Sequence, residues 1–215
     1  MIRIYHHILV LTLIAILPAS AEPAGSINSK VETTLAKKIS FDFRSPKLVD
    51  VGNYFSNLTG CTVVVDPSAR SKEVRLKMND TKVETALKLI TRQTGTTFTA
   101  VGEALFISHK SRVDAASHKS PFLSIRNRKL RDQLGKKISF DFVDTPLPDV
   151  AAFLANRTGM NIVSLVPKTD ATALTLKVND MRLDSAMHWI TVVSPTRIKI
   201  EGNVIGFTTG KKESR

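Results

Sequence analysis

The sequence predicts an α+β protein made of two tandem copies of a β-α-β-β-α-β-β module, with helices packed against small sheets. One observation is a repeat: the phrase KKISFDF at residues 37–43 returns unchanged at residues 136–142. A period of roughly 100 residues is too long for a solenoid and indicates two copies of one small domain. The other observation is a hydrophobic period that changes from two to about 3.6 within each copy. Equivalent positions in the two copies are called twins below.

The opening strand of each copy is indicated by alternation. Apolar residues alternate with polar ones over this stretch: Ile39, Phe41 and Phe43 in the first copy, and Ile138, Phe140 and Phe142 in the second. Such alternation predicts a strand with one buried face. Asp42 and Asp141 occupy the intervening positions, so we expect both on the solvated face.

A turn and a helix are predicted next. The sequence DTP at residues 144–146 offers a cap followed by proline at the first helical turn, and the first copy has Ser45-Pro46 there. One apolar helical face is predicted from these residues: Leu48, Val51, Phe55 and Leu58. Gly60 and Gly159 fit the position after each helix, where glycine adopts positive φ without a steric penalty.

The remaining elements complete the module. Residues 63–65 and 162–163 predict short apolar strands, and residues 74–78 and 174–178 predict strands with one wet face. Asn79-Asp80 and Asn179-Asp180 then indicate a turn into a second helix, with a capping box at residues 81–84 (TKVE) in the first copy. We interpret Trp189, on the second of these helices, as a core or subdomain-contact residue. Hairpins at residues 97–108 and 197–208 close the two modules.

The ends of the chain set the predicted boundaries. A weakly basic start, an apolar run at residues 8–17 and the small residues around PASA predict a cleaved signal peptide. The run is too short to cross a bilayer stably, so no membrane span is expected after cleavage, although an uncleaved anchor stays open. The predicted order is signal peptide 1–21, N-terminal segment 22–36, first module 37–109, basic linker 110–135, second module 136–209 and basic tail 210–215.

Composition restricts the class of partner. Cys61 is the only cysteine, so no internal disulfide is expected, and we interpret it as a small buried hydrophobe. The net charge of +12 favours an anionic polymer or an acidic protein face, although solvation of the linker and tail explains it more simply. Nucleic acid is not favoured, because aromatic residues are not interleaved with the basic ones. The candidate basic surface comprises Lys119, Arg126, Arg128, Lys129 and Arg131.

Signatures of catalysis are missing from the sequence. It contains no HExxH, GxSxG, phosphate loop or CxxC. His188 has Lys88 as its twin, which predicts an exposed position rather than a metal ligand. We therefore expect no catalytic residue, no metal and no cofactor, and an enzyme remains only a third hypothesis.

Several phrases resemble the short N-terminal domain (STN) shared by secretins and TonB-dependent receptors. They are ISFDFVDTPLPDVAAFLANRTGMNIV at residues 138–163, LTLKVNDMRLDSAMHWI at 174–190 and IEGNVIGF at 200–207, with twins of the first two at 39–67 and 74–90. In that family the module lies in the periplasm, where it receives inner-membrane partners of secretion and pilus machines or relays signals from iron–siderophore receptors. The resemblance implies protein contact in the bacterial envelope and supplies no catalytic residue.

Two function hypotheses follow from these observations. The first is a non-enzymatic periplasmic interaction module. An accessory role in a secretion, pilus or transport system, and an association with the outer membrane, are open under this hypothesis. Its partner would be a periplasmic or outer-membrane protein that adds a strand at an exposed edge. The candidate edges are those of the closing hairpins or of the strands that carry the alternating residues Ile39, Phe41, Phe43, Ile138, Phe140 and Phe142. The alternative is a binder of cell wall, lipopolysaccharide or exported DNA, whose affinity would fall steeply with salt.

Overall fold

The computed structural model describes residues 29–113, 122, 125, 127–167 and 173–210. Their mixture of helices and small sheets confirms the α+β class. The first half, residues 29–113, contains α1 (Ser29–Ala36), β1 (Lys38–Lys47), α2 (Leu48–Thr59), β2 (Thr62–Val65), β3 (Glu73–Lys82), α3 (Val83–Thr94), β4 (Thr97–Val101) and β5 (Ala104–Ser108). The predicted signal peptide lies outside the described residues, as does the basic tail after Gly210.

The second half, residues 127–210, has the same order of elements. It contains α4 (Arg128–Leu134), β6 (Lys137–Pro146), α5 (Leu147–Thr158), β7 (Asn161–Ser164), β8 (Ala173–Arg182), α6 (Leu183–Val193), β9 (Thr196–Glu201) and β10 (Val204–Thr209). Short 3-10 turns lie in the first half at Pro67–Ala69 and Lys110–Arg112.

Each half has one two-stranded and one three-stranded sheet. β1 pairs antiparallel with β3, while β5 lies between a parallel β2 and an antiparallel β4. The second half repeats this arrangement with β6 beside β8, and with β10 between a parallel β7 and an antiparallel β9. Asp42 and Asp141 lie on the exposed face of their strands, which confirms that prediction.

The helices begin later than the sequence predicted. β1, β3, β6 and β8 continue directly to the residue before each helix, and none of the four N-cap residues makes a side-chain cap. The predicted caps at residues 144–146 and 81–84 are therefore wrong. Backbone carbonyls take their place: the N–H of Val83 donates to Lys37 O at 2.8 Å, and that of Leu183 donates to Lys136 O at 2.9 Å. These contacts are distant in sequence, so local patterns do not reveal them.

Aspartates occupy bulges just before these helices. Asp80 and Asp180 both have φ of 45°, and Asp144 has φ of 48°. Aspartate tolerates the left-handed region better than most residues because its short side chain forms local hydrogen bonds. The pairing register shifts at the same places, so these residues let a long strand bend before its helix begins.

Two helices were not predicted. In α1, Val31 is fully buried in the first core. In α4, Leu130 and Leu134 are buried in the second core, and the side chain of Asn127 accepts a hydrogen bond from Leu130 N–H at 3.2 Å. The helix α4 lies inside the predicted basic linker, whose C-terminal part therefore packs onto the second half.

Packing confirms most of the predicted core and corrects two positions. Cys61 is fully buried, as expected for a small hydrophobe. Leu58 is 48% exposed, because the buried helical face continues through Thr59 instead. His188 is half-buried, with its ring centroid 5.8 Å from that of Trp189, so the expectation of an exposed position is wrong.

The two halves share part of one core. Val64, Ala104 and Phe106 of the first half are buried in the same cluster as the core of the second half. Trp189 is 1% exposed, and its ring centroid lies 5.3 Å from that of Phe106. The interpretation of Trp189 as a core or subdomain-contact residue is confirmed, and the halves are joined by apolar burial as well as by the chain.

Candidate partner-binding edges

β1 and β6 each have a single strand neighbour among the described residues, namely β3 and β8. The opposite edge of each strand therefore offers backbone N–H and C=O groups to a further strand. These are the strands that carry the six predicted edge residues. Their geometry suits the addition of an extended segment from another protein.

The six predicted residues direct their side chains into the core. Ile39, Phe41, Ile138, Phe140 and Phe142 are buried, and Phe43 is half-buried. Phe140 and Phe142 stack with ring centroids 4.5 Å apart, and Phe41 and Phe43 stack at 4.4 Å. These side chains anchor the strand in the core, so any side-chain recognition at the edge must come from other positions.

Two residues missed by the sequence reasoning supply apolar surface beside β6. Val143 is 70% exposed, and Phe153 on α5 is 38% exposed. Phe153 packs edge-on against Phe142, with ring centroids 5.2 Å apart. The twins are Arg44 and Tyr54, so this apolar surface belongs to the second half alone. A sequence signal existed, since valine at 143 occupies a position that strand alternation reserves for a polar residue.

The outer edge of β8, opposite β6, is already covered by the first half. Arg70 Nη2 donates to Thr175 O at 2.6 Å, and Asn179 N–H donates to Thr62 Oγ1 at 3.0 Å. Burial lowers the pKa of Arg70 from its usual value, although the nearby carboxylates of Asp66 and Asp144 oppose this. This contact shows how a surface of this protein recognises a strand edge, with side chains bonding to exposed backbone groups.

The predicted basic surface is only partly within the described residues. Arg128, Lys129 and Arg131 are exposed on α4, whereas Lys119 and Arg126 lie outside the described residues. Arg128 Nε lies 4.0 Å from Asp132 Oδ2, in a solvent-exposed pair. The three residues surround the buried Leu130 on a short helix, so the structure places them together on one side of the second half.

A second basic surface was not predicted. Arg44 and Arg75 are register partners on the wet face of the β1–β3 sheet. Their twins are Val143 and Thr175, so the arrangement is specific to the first half. Like charges directly opposite each other destabilise a sheet. Ser45 Oγ accepts a 3.0 Å hydrogen bond from Arg75, which holds that guanidinium in place without neutralising it.

Clefts and titratable groups within the described residues offer little chemistry. Those residues contain no group of three His, Cys, Asp or Glu side chains that could hold a metal ion, and no helix long and apolar enough to cross a membrane. A cleft on the second half is lined by Lys136, Lys137, Ser139, Arg157, Thr158 and Asp180, among others. Asp180 is paired with Lys137 there, and their hydrogen bond lowers the pKa of Asp180 and raises that of Lys137.

No protein-family model matches this chain, and no curated protein matches it either. The fold and the geometry of its edges are therefore the observations from which a function is inferred.

Proposed function

We propose that this chain is a non-enzymatic interaction protein of the bacterial periplasm that docks an envelope protein by strand addition at the β6 edge. The observation that carries the proposal is the edge of β6 that no other described strand pairs with, flanked by the exposed side chains of Val143 and Phe153. The resemblance of both halves to the docking domain of secretins and TonB-dependent receptors supports it. Export rests on the predicted signal peptide at residues 1–21.

The backbone and the side chains of an added strand contribute to its binding in different ways. An added strand gains affinity from main-chain hydrogen bonds and specificity from its side chains. Val143 and Phe153 supply apolar contacts that water would otherwise cover, and an aromatic ring half-buried at an edge is a good anchor because it has little rotamer entropy to lose. The stacked rings of Phe140 and Phe142 behind the edge anchor the strand in the core.

Site-specific photo-cross-linking in intact cells tests this proposal. A photoreactive phenylalanine analogue placed at residue 143 is expected to capture a discrete envelope protein, because that position adjoins the open edge. The matched control is the same analogue at Leu58, which is apolar and 48% exposed but lies on α2. Capture from an envelope extract by the purified protein should persist at high salt, since salt does not screen apolar and main-chain contacts.

A substitution gives the complementary result. Val143→Arg installs the residue of the twin position and should weaken capture by the purified protein about 10-fold or more, whereas Leu58→Arg should leave it unchanged. Equal capture from positions 143 and 58, or capture that disappears at high salt, would contradict docking at the β6 edge.

A second candidate function is binding of an anionic envelope polymer. The like-charged pair of Arg44 and Arg75 on one face, together with the exposed basic residues of α4, favours it. Arg44 Nη2 already lies 3.3 Å from Asp42 Oδ2, so a polyanion would add counter-charge mainly beside Arg75. Its binding would release counterions, so its affinity should fall steeply as salt rises. Replacing both arginines by their twin residues, as Arg44→Val with Arg75→Thr, should reduce both the affinity for lipopolysaccharide and its salt dependence. Unchanged binding by this double variant would exclude the face as the polymer site.

A further inference from the structure

The contact between the two halves is asymmetric. The first half contributes a socket surface, defined by Ser56, Thr62, Val64, Glu103 and Phe106. The second half contributes an edge surface, defined by Thr175, Asn179, Arg182 and Trp189. Different patches meet, so the contact is head-to-tail. Because the fold is repeated, each half also has the surface that it does not use in this contact.

These unused twins expose apolar residues at the corresponding places. Val64 in the socket surface is 1% exposed, and its twin Val163 is 40% exposed. Trp189 in the edge surface is 1% exposed, and its twin Leu89 is 39% exposed. Leu165, which follows β7, is 59% exposed. Among the described residues, nothing covers the socket surface of the second half or the edge surface of the first half along β3.

The polar contacts can be repeated with the twin residues. Asn179 N–H donates to Thr62 Oγ1, and the twins Asn79 and Asn161 offer the same backbone donor and a side-chain carbonyl acceptor. Arg182 N–H donates to Glu103 Oε2 at 2.9 Å. Their twins, Lys82 and Asn203, again pair a backbone N–H with a side-chain oxygen.

The contact between Arg70 and Thr175 has no equivalent in the described part of the second half. The corresponding backbone groups of β3 are instead bonded within the first half. Thr175 O accepts from Arg70, whereas its twin Arg75 bonds to Gln93 within the first half. Gln93 Oε1 accepts from Arg75 N–H at 3.3 Å, and Gln93 Nε2 donates to Arg75 O at 3.2 Å. The β3 edge therefore needs no arginine from a partner at this position, and no other described strand pairs with it near Asn79 and Lys82.

Leucines would take the place of the aromatic pair at the apolar centre of the contact. The ring of Trp189 packs on Phe106 between the halves, whereas the twin of Phe106 is Gly206. Leu165 fills the space over this glycine, since a Cβ on Gly206 would lie 3.1 Å from Leu165 Cδ1. A smaller Leu89 would then meet Leu165 and Val163, in place of the larger tryptophan meeting phenylalanine.

We propose that a second copy of this chain binds here, with the socket surface of one second half covering the β3 edge of another first half. The contact continues the head-to-tail arrangement that already joins the halves within one chain. A heterologous contact of this kind adds copies in one direction and gives rings or open chains. It uses the β3 edge, whereas the proposed docking of an envelope protein uses the β6 edge, so either can fail without the other.

Analytical sedimentation tests this inference. The sample is the protein purified after expression of the full chain. Weight-average mass should rise with concentration, and it should rise further with salt, because strongly basic copies repel one another until their charges are screened. Leu89→Glu and Leu165→Glu should each weaken self-association about 30-fold or more, since each places a charge in the apolar centre. Leu58→Glu is the matched control, and far-UV circular dichroism verifies that all variants are folded.

Mixing the two variants distinguishes a head-to-tail contact from any other. Leu89→Glu keeps an intact socket surface, and Leu165→Glu keeps an intact β3 edge. Each alone should remain a monomer, while their mixture should form a one-to-one dimer that cannot grow. A wild-type protein that remains monomeric up to near-millimolar concentration would overturn the inference, as would equal disruption by Leu58→Glu or a mixture that stays monomeric.

Discussion

Lys137 Nζ donates a 2.7 Å hydrogen bond to Asp180 Oδ2, across the ladder between β6 and β8. The N–H of Asp180 in turn donates to Ser139 Oγ at 2.8 Å. Lys38 and Ser40 make the same two bonds to Asp80 in the first half. The repeated phrase KKIS therefore holds the bulge at which a long strand bends into its helix. Its recurrence in both halves reflects the fold.

The pH dependence of stability follows from the Lys137–Asp180 pair. The hydrogen bond lowers the pKa of Asp180, so its stabilising effect is present above the unfolded pKa of about 3.9 and is lost as pH falls through the folded value. It raises the pKa of Lys137, so that effect is present below about 10.4 and is lost as pH rises through the folded value. Thermal melts of Lys137→Met should differ from wild type between these limits and converge outside them.

The expected difference is small because both groups are exposed and Lys30 Nζ lies 3.8 Å from the same oxygen of Asp180. Lys129→Met, at an exposed lysine on α4, is the control and should not reproduce this pH profile. A difference that is constant across the whole range would show that Lys137 acts through packing alone.

Gly52 tests the fit between α2 and β2. A Cβ on Gly52 would lie 2.7 Å from Val65 Cγ2, which no real pair of atoms tolerates without movement. The twin pair is Ala151 with Ser164, so the second half combines the larger helix residue with the smaller strand residue. We expect Gly52→Ala to cost about 1–3 kcal/mol from overpacking, partly offset by about 1 kcal/mol of helix propensity.

On a Val65→Ser background the same change should become neutral or stabilising, because the clash is gone. A double-mutant cycle in urea measures this coupling. If Gly52→Ala had the same effect on both backgrounds, the close approach to Val65 would not be the cause.

Trp189 should contribute far more to stability than its twin. Trp189→Ala removes a buried ring from the junction of the halves and should cost about 3–5 kcal/mol. Leu89→Ala, at a position 39% exposed, should cost less than about 1 kcal/mol in dilute solution. Urea unfolding of both variants is followed by far-UV circular dichroism. Tryptophan fluorescence cannot be used, because Trp189 is the only tryptophan of the chain. Similar midpoints for the two variants would contradict the burial of Trp189 between the halves.

Cys61 should be protected from thiol reagents in the folded protein. Burial is the main cause that raises the pKa of its thiol, and Sγ lies 3.7 Å from Thr62 O inside the core. The reactive thiolate is thus both rare and inaccessible. Labelling should be about 100-fold or more slower than in urea, because it requires local opening. The control is Ser71→Cys, at an exposed position, on a Cys61→Ala background. Equally fast labelling of both would show that Cys61 is accessible.

The sequence predicted those parts of the fold that depend on local periodicity. Alternation located β1 and β6, and the glycines at 60 and 159 marked helix ends, where they adopt φ of 70° and 67°. Helix starts were missed because carbonyls from distant residues such as Lys37 replace side-chain caps. The short helices α1 and α4 were missed because each carries only a brief apolar stripe that gains stability from tertiary packing.

The candidate site was predictable only as a strand. Its backbone edge follows from the alternation, but the residues that face a partner depend on which neighbours remain uncovered. Phe153 belongs to a helical stripe that looks like core, and its exposure follows from its position at the end of the aromatic stack with Phe142. The docking of Thr62 and Asn179 across the halves joins residues far apart in the chain, which no local pattern encodes.

Because residues of the first half cover the edge of β8, the order in which the two halves fold after the proposed export matters. An exported chain emerges from the membrane starting at its N-terminus, so the socket surface can form before β8 has emerged. When β8 emerges, its bare edge and the side chain of Trp189 meet a surface that is already folded. In a circularly permuted chain that began with the second half, the β8 edge would be exposed until the first half had folded. It could then pair with the edges of other unfolded chains, so we expect such a variant to aggregate more readily.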